Sequence, residues 1–272
     1  MNYVSYDPID GLSTRLEDGI LRLTLDRPSK RNALDDAMVS ALISHFDRAS
    51  QDEAVRALLV DSNGDDFCTG FDVVTRNAGD SDARPRVGSI QRRLPSQAHR
   101  LVPLMLTTQV PIVAAVRGWA VGLGLHLALA ADFCIVSDVA RFWEPFTARG
   151  FTPDSGGTWL LPRLIGMARA KELLLLGTEL SGKDAAEWGL VHRAVDDAEV
   201  TSEAETLARR LAEGPTVALG LTKWLLHQGA GLDLEHHLSN EAFALELSSR
   251  SGDFREGMAA LGEKREAEFE GR

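Results

Sequence analysis

The stretch "PIVAAVRGWAVGLGLHLALAAD", residues 111–132, constrains the fold more than any other part of the chain. It begins as an apolar, partly β-branched run after a proline, the pattern of a strand buried on both faces. It then passes Gly118, Gly122 and Gly124 into "LGLHLALAAD", a helical segment apolar on every side. Such a helix belongs inside a large core. Arg117 and His126 interrupt the run, which falls short of the ~18 uninterrupted apolar residues of a membrane span, so no membrane association is expected.

Similar signals flank this stretch. "VRALLVDS" and "FCIVSD" are further apolar runs, with helical patterns between them. Strands alternating with helices need crossover connections, which predicts an α/β fold with a mostly parallel sheet. Upstream, "LSTRL" and "GILRLTLD" flank Glu17-Asp18-Gly19 as a β-hairpin would. "DDAMVSALISHFDRAS" repeats Met38, Leu42, Phe46 and Ala49 near helical spacing, with Asp35 or Asp36 as its cap. A further helix is expected over 95–108, and a Gly-rich helix directly after the strand "PIVAAVRG". From Gly156 onward nearly every segment reads as helix, with "LVHRAVD" the only strand. The division expected is a sheet-based core over 1–200 and a helical C-terminal region over 201–272.

With 272 residues, 44% of them hydrophobic, the chain can bury a sizeable core. A net charge of −11 argues against a nucleic-acid partner, which calls for a basic stripe, and leaves an anionic small ligand where basic residues cluster. Cys68 and Cys134 form neither a disulfide framework nor a Cys-x-x-Cys pair, so no metal is expected and a reducing compartment is. The opening "MNYVSYDPIDGL" lacks the basic and apolar regions of a signal peptide, and a cytoplasmic location is expected.

Three motifs carry chemistry. In "GWAVGLGLHL" glycines open a helix, where backbone amides present a partial positive charge to an oxyanion or phosphate; close helix packing and a dinucleotide-binding turn are the alternatives. "DFCTGFDV" is a second glycine turn after a strand, and two such loops converging would supply both donors of an oxyanion hole. "GFTPDSGGTWLLPR" places Asp154 before a Ser-Gly-Gly run. It resembles the surroundings of a protease serine, but Pro153 precedes the acid and the following third is helical, which disfavours Ser155 as a nucleophile. A helix-capping role for Asp154 is compatible with chemistry.

Together these residues resemble the crotonase (enoyl-CoA hydratase/isomerase) superfamily. "DRPSKRNAL", "FCTGFDV", "AAVRGWAVGLGLHLALAADF", "RFWEPFTARGFTPDSGGTWLLPRLIG", "AAEWGLVHRAVDD" and "SGDFREGMAALGEKREAEFEGR" carry the resemblance, in family order. It implies a crotonase-like spiral of β-β-α turns with a helical C-terminal trimerisation region, assembled as a homotrimer or homohexamer. It also implies an acyl-CoA thioester substrate, with coenzyme A entering as part of that substrate and no permanently bound cofactor. The family's oxyanion amides fall on Phe71 and Leu123. Arg27, Lys30, Arg31, Thr69, Phe71, Asp72 and Lys264 are the implied contacts to the CoA portion, and Arg265 is a further basic candidate.

The two glutamates of the family's hydratases fall on His126 and Phe146, so neither carboxylate is present. Glu144, two residues before Phe146, would reach the same side of an extended strand. Asp154 stands where members with other reactions carry an acid, and the resemblance looks closest to the phenylacetate-pathway isomerase type. What it implies is an enoyl-CoA isomerase with Asp154 as proton shuttle, beside an apolar pocket made drier by Phe146. His126 is either a secondary polar group of that pocket or a satisfied core residue, and His99 matches a histidine of dehalogenase-like members. A hydratase with atypical residues, an inactive CoA-ester-binding protein and a dehalogenase-like hydrolase are the alternatives.

Overall fold

The computed structural model describes residues 6–73 and 87–272; residues 1–5 of the N-terminal stretch read above lie outside the described residues. The chain opens with β1 (Gly11–Glu17) and β2 (Ile20–Asp26), paired antiparallel across the expected turn, in which Asp18 and Gly19 both adopt positive φ. Helix α1 (Asp36–Ala49) follows, and it is Asp35 that caps it, accepting from the Met38 amide at 2.9 Å. Then come β3 (Ala57–Ser62), the short helix α2 (Ser89–Arg93), α3 (Leu101–Thr107) and β4 (Ile112–Val116). The helix expected over 95–108 is broken: Leu94–Ser96 and Ala98–Arg100 are 3-10 turns, and Pro95 sits within the first.

After β4 a short strand, β5 (Trp119–Val121), intervenes before α4 (Leu123–Leu129), so the glycine-led helix does not follow the buried strand directly. The pattern repeats with β6 (Phe133–Ser137), β7 (Arg141–Trp143) and α5 (Gly157–Leu176), the last broken at Gly166, φ 75 and ψ 164. Next are β8 (Leu180–Ser181), α6 (Gly182–Trp188) and β9 (Arg193–Val195). Helices α7 (Val200–Ala212), α8 (Thr216–Gly229), α9 (Leu234–Ser248) and α10 (Gly252–Glu263) complete the chain. One six-stranded sheet runs β1-β2-β3-β4-β6-β9, parallel from β2 onward, and a second runs β5-β7-β8. The β4-β5-α4 and β6-β7-α5 turns thus each place one strand in the large sheet and one in the small sheet, while β1 and β2 both lie in the large one. β8 corrects the reading of "LVHRAVD" as the only late strand; two residues are too few to show a period.

The unbroken apolar runs follow from burial on both faces. Side chains alternate along a strand, so Leu58 and Val60 of β3 and Ile112, Ala114 and Val116 of β4 join the main core. Leu59, Val113 and Ala115 face the other way and pack on Val200, Ala204 and Ala208. These, with Ala212, form a one-turn stripe along α7, whose small side chains let the helix lie close to the sheet. Helix α7, placed by the boundary at 200 in the C-terminal region, is therefore packed as part of the core.

Helix α8 is anchored to the same sheet by a buried ion pair. Lys223 Nζ lies 2.7 Å from Asp132 Oδ2 and donates to the Val110 carbonyl at 3.2 Å, and Asp132 Oδ2 also accepts from the Ile112 amide. Burial lowers the Lys223 pKa, a shift opposed by Asp132. Replacing Lys223 by methionine strands a largely buried carboxylate, and urea unfolding is expected to show a loss of roughly 3 kcal/mol. A loss below about 1 kcal/mol contradicts this anchoring role.

Candidate active site

Two loops meet at the end of the small sheet. Cys68 pairs with β5: its amide donates to the Trp119 carbonyl and its carbonyl accepts from the Val121 amide, both at 2.9 Å. Two residues on, Gly70 turns at φ 92, and a Cβ there would lie 2.8 Å from the Val121 carbonyl oxygen and 3.7 Å from the Leu123 nitrogen. The chain bearing Phe71 and the start of α4 bearing Leu123 are therefore neighbours. Gly122 holds φ 51 and ψ −120, which side chains with a Cβ rarely adopt, and Gly124 presses on Cys68, where a Cβ would sit 2.3 Å from the carbonyl oxygen. Leu123 is the first residue of α4, so its N–H has no carbonyl one turn back within the helix. Burial pushes both thiols up to about 12, which removes Cys68 and Cys134 as thiolate nucleophiles.

Asp154 lies on the loop before α5 and is exposed, which corrects the expectation of an acid beside an enclosing apolar pocket. It is not the helix cap either: Gly156 occupies that position at φ 101, with no side-chain cap. The carboxylate instead accepts from its neighbour, with Ser155 Oγ donating to Asp154 Oδ1 at 2.9 Å. Ser155 is buried at φ 51, and its Oγ lies 3.0 Å from His126 Nδ1. His126 Nε2 lies 2.8 Å from Glu144 Oε1. The Asp154 loop is thereby docked on α4 one turn beyond Leu123.

His126 is fully buried, so it is a partnered core histidine and not a group on the pocket wall. Phe146 stacks on it with ring centroids 6.1 Å apart and an interplanar angle of 12°, while Gly157 leaves room beside the ring, where a Cβ would fall 2.3 Å from Nε2. Glu144 is 1% exposed and turned to His126, which corrects its expected place as a carboxylate available to substrate. Its Oε2 has no hydrogen-bond partner among the described residues, a costly condition of the kind kept where chemistry uses it. Phe146 also packs below Gly122, its Cζ 3.3 Å from a Cβ placed there. The Ser155-His126-Glu144 contacts were missed because such pairings leave no periodic signal in sequence.

The expected CoA contacts divide. Arg27 Nη1 donates to Asp72 Oδ2 at 2.9 Å and to the Ala33 carbonyl at 3.1 Å, so Arg27 and buried Asp72 tie the "RPSKR" loop to the loop of Phe71 instead of presenting charge outward. Thr69 serves the same junction, its Oγ1 donating to the Arg31 carbonyl at 3.1 Å. Asn32, not singled out in sequence, is fully buried at φ 54 and bonds the Arg27 amide and the carbonyls of Asn63 and Asp66. Lys30 is exposed on the short turn Pro28–Lys30. Arg31 is exposed too, bonded to Asp66 at 2.6 Å and 5.7 Å from the Trp119 ring centroid. Lys264 is exposed at the end of α10, and His99 lies in the 3-10 turn before α3, its Nε2 without a hydrogen-bond partner among the described residues. Arg265 is committed to Glu256 and Glu263. No group of metal-ligating side chains occurs among the described residues.

Residues 15–272 match the family model described as enoyl-CoA hydratase/isomerase. The 1,2-epoxyphenylacetyl-CoA isomerase of Escherichia coli (strain K12) is 38% identical over 260 residues, 95% of this chain and 98% of its own. The crotonyl-CoA hydratase of Syntrophomonas wolfei is 32% identical, covering 93% of this chain and 95% of its own. Among solved structures, an enoyl-CoA hydratase from Bacillus anthracis superposes with a TM-score of 0.88 at 28% identity, over 96% of this chain and all of its own.

Proposed function

Since the chain belongs to the enoyl-CoA hydratase/isomerase family, we propose that it is an enoyl-CoA isomerase in which Asp154 carries the proton. The Asp154 carboxylate removes a proton from C2 of a 3-enoyl thioester, and the released electron pair delocalises onto the thioester oxygen. The amides of Phe71 and Leu123 stabilise that oxyanion, each worth roughly 3 kcal/mol in the transition state. Asp154 then returns the proton to C4, leaving the double bond at position 2. Lys30 and Arg31 serve the CoA phosphates. No redox or metal step is needed for this balance.

One observation carries the reading: the acid at the docked loop is an aspartate, while the two positions on which the resemblance puts the hydratase glutamates hold a buried histidine and a phenylalanine. Water positioning by a carboxylate pair is thereby replaced by one mobile proton. Purified protein given 3-hexenoyl-CoA is expected to raise the absorbance of the conjugated thioester, and crotonyl-CoA is expected to lose none. Consumption of crotonyl-CoA without any isomerisation favours a hydratase and overturns the reading.

Leu226 on α8 and Leu234, Leu238, Phe243 and Leu245 on α9 are exposed in the single chain. Such a face calls for cover, and we assign it to contacts between copies in a homotrimer or a hexamer of two trimers. No helix among the described residues is long and apolar enough to cross a membrane, and the two buried free thiols fit a reducing cytoplasm.

A further inference from the structure

Three buried polar side chains behind Asp154 take no part in the proton transfer as written. Ser155 is 5% exposed, His126 0% and Glu144 1%. They form an unbroken chain: Asp154 Oδ1 to Ser155 Oγ at 2.9 Å, Ser155 Oγ to His126 Nδ1 at 3.0 Å, His126 Nε2 to Glu144 Oε1 at 2.8 Å. Ser, His and Glu in this order also compose a hydrolase triad, but here the hydroxyl is buried and held on both sides, with no open face for attack on a carbonyl.

Counting protons assigns the direction of the chain. A serine hydroxyl has one proton. If Ser155 donates it to the Asp154 carboxylate, His126 Nδ1 must carry a proton and donate it to Ser155 Oγ. His126 Nε2 and Glu144 Oε1 must then share a second proton, because two bare acceptors 2.8 Å apart would repel. The His126-Glu144 pair therefore holds two protons while Asp154 is a carboxylate. With one proton fewer on the pair, the hydroxyl turns toward His126, and Asp154 Oδ1 loses its donor.

We propose that Ser155, His126 and Glu144 are a positioning relay, in which the buried pair fixes the hydroxyl of Ser155 and so holds Asp154 by one oxygen, leaving Oδ2 for the substrate proton. Oδ2 accepts no hydrogen bond among the described residues, in keeping with that division. The cage explains the local glycine and aromatic: Gly157 leaves room for the imidazole, and Phe146 limits its tilt. The relay rests on the reading of Asp154 as the proton carrier.

Two measurements test it. In steady-state isomerisation, Ser155→Ala is expected to lower kcat about tenfold to thirtyfold with KM within about twofold, since the lost hydrogen bond to a charged group orients the acid and does not bind CoA. The same change in an Asp154→Asn background is expected to cost nothing further, because Ser155 acts through that carboxylate. An unchanged kcat in Ser155→Ala, or an equal loss in both backgrounds, overturns the relay. The second measurement needs no turnover: ring ¹⁵N signals of His126 in the ligand-free protein are expected to show Nδ1 protonated. An Nδ1 without a proton overturns the relay. Absent turnover in the wild type with Nδ1 protonated would count against the isomerase reading alone, so the two failures are distinguishable.

Discussion

Asp154→Asn is expected to reduce isomerisation of a 3-enoyl-CoA by at least a hundredfold, and up to about ten-thousandfold, the range that loss of a positioned general base produces. Asparagine keeps the volume and the oxygen that accepts from Ser155 Oγ, so the loop before α5 retains its contact with α4. What it removes is the capacity to hold a proton between its departure from C2 and its return to C4. Binding of a CoA ester, followed by calorimetry, is expected to stay within about threefold, because the loops assigned to CoA do not include this residue. Turnover within tenfold of wild type would take the proton away from Asp154, and with it the isomerase mechanism.

Gly124→Ala is the second large effect. The new methyl would lie 2.3 Å from the Cys68 carbonyl oxygen and 2.7 Å from Cys68 Cβ, both on the loop that leads to Phe71. Neither atom belongs to a flexible side-chain end, so the two loops must separate. An oxyanion donor works only within about 2.7–3.1 Å of its oxygen, and losing one such donor costs about 10²–10³ in kcat. The expected result is a kcat loss of that size with KM changed far less, together with about 1–3 kcal/mol of lost stability from overpacking. Gly262→Ala, on α10 with no atom within 4 Å of the added Cβ, is the control and is expected to match wild type. A Gly124→Ala enzyme with wild-type kcat would show that the amides of Phe71 and Leu123 do not stabilise the developing charge.

Much of the fold was legible in local pattern. The apolar runs of β3, β4 and β6 stand out because both strand faces are buried, and the Asp18-Gly19 turn because its φ values are positive. The short strands β5, β7 and β8 escaped, since two or three residues cannot display a period of two. Asp154 was found as an acid after Pro153, yet its local reading as a cap failed: Gly156, free to take φ 101, holds the cap position, and the carboxylate turns to Ser155 instead. The charges of Arg27 and Asp72 read as ligand contacts because sequence reports that a charge exists and not which opposite charge neutralises it.

By itself, the sequence determined the residue types on which the site turns: Gly70 and Gly122, which take positive φ, Gly124, whose missing side chain allows close approach, and the acid before Ser155. Only the tertiary structure decided which of these meet. It set Gly70 beside Leu123, closed Arg27 on Asp72, and joined Ser155, His126 and Glu144, whose separations of 29 and 18 residues no short-range pattern spans. The physical reason is that a buried polar atom must find a partner or bear a large desolvation cost, and packing of distant segments dictates which partner is within reach.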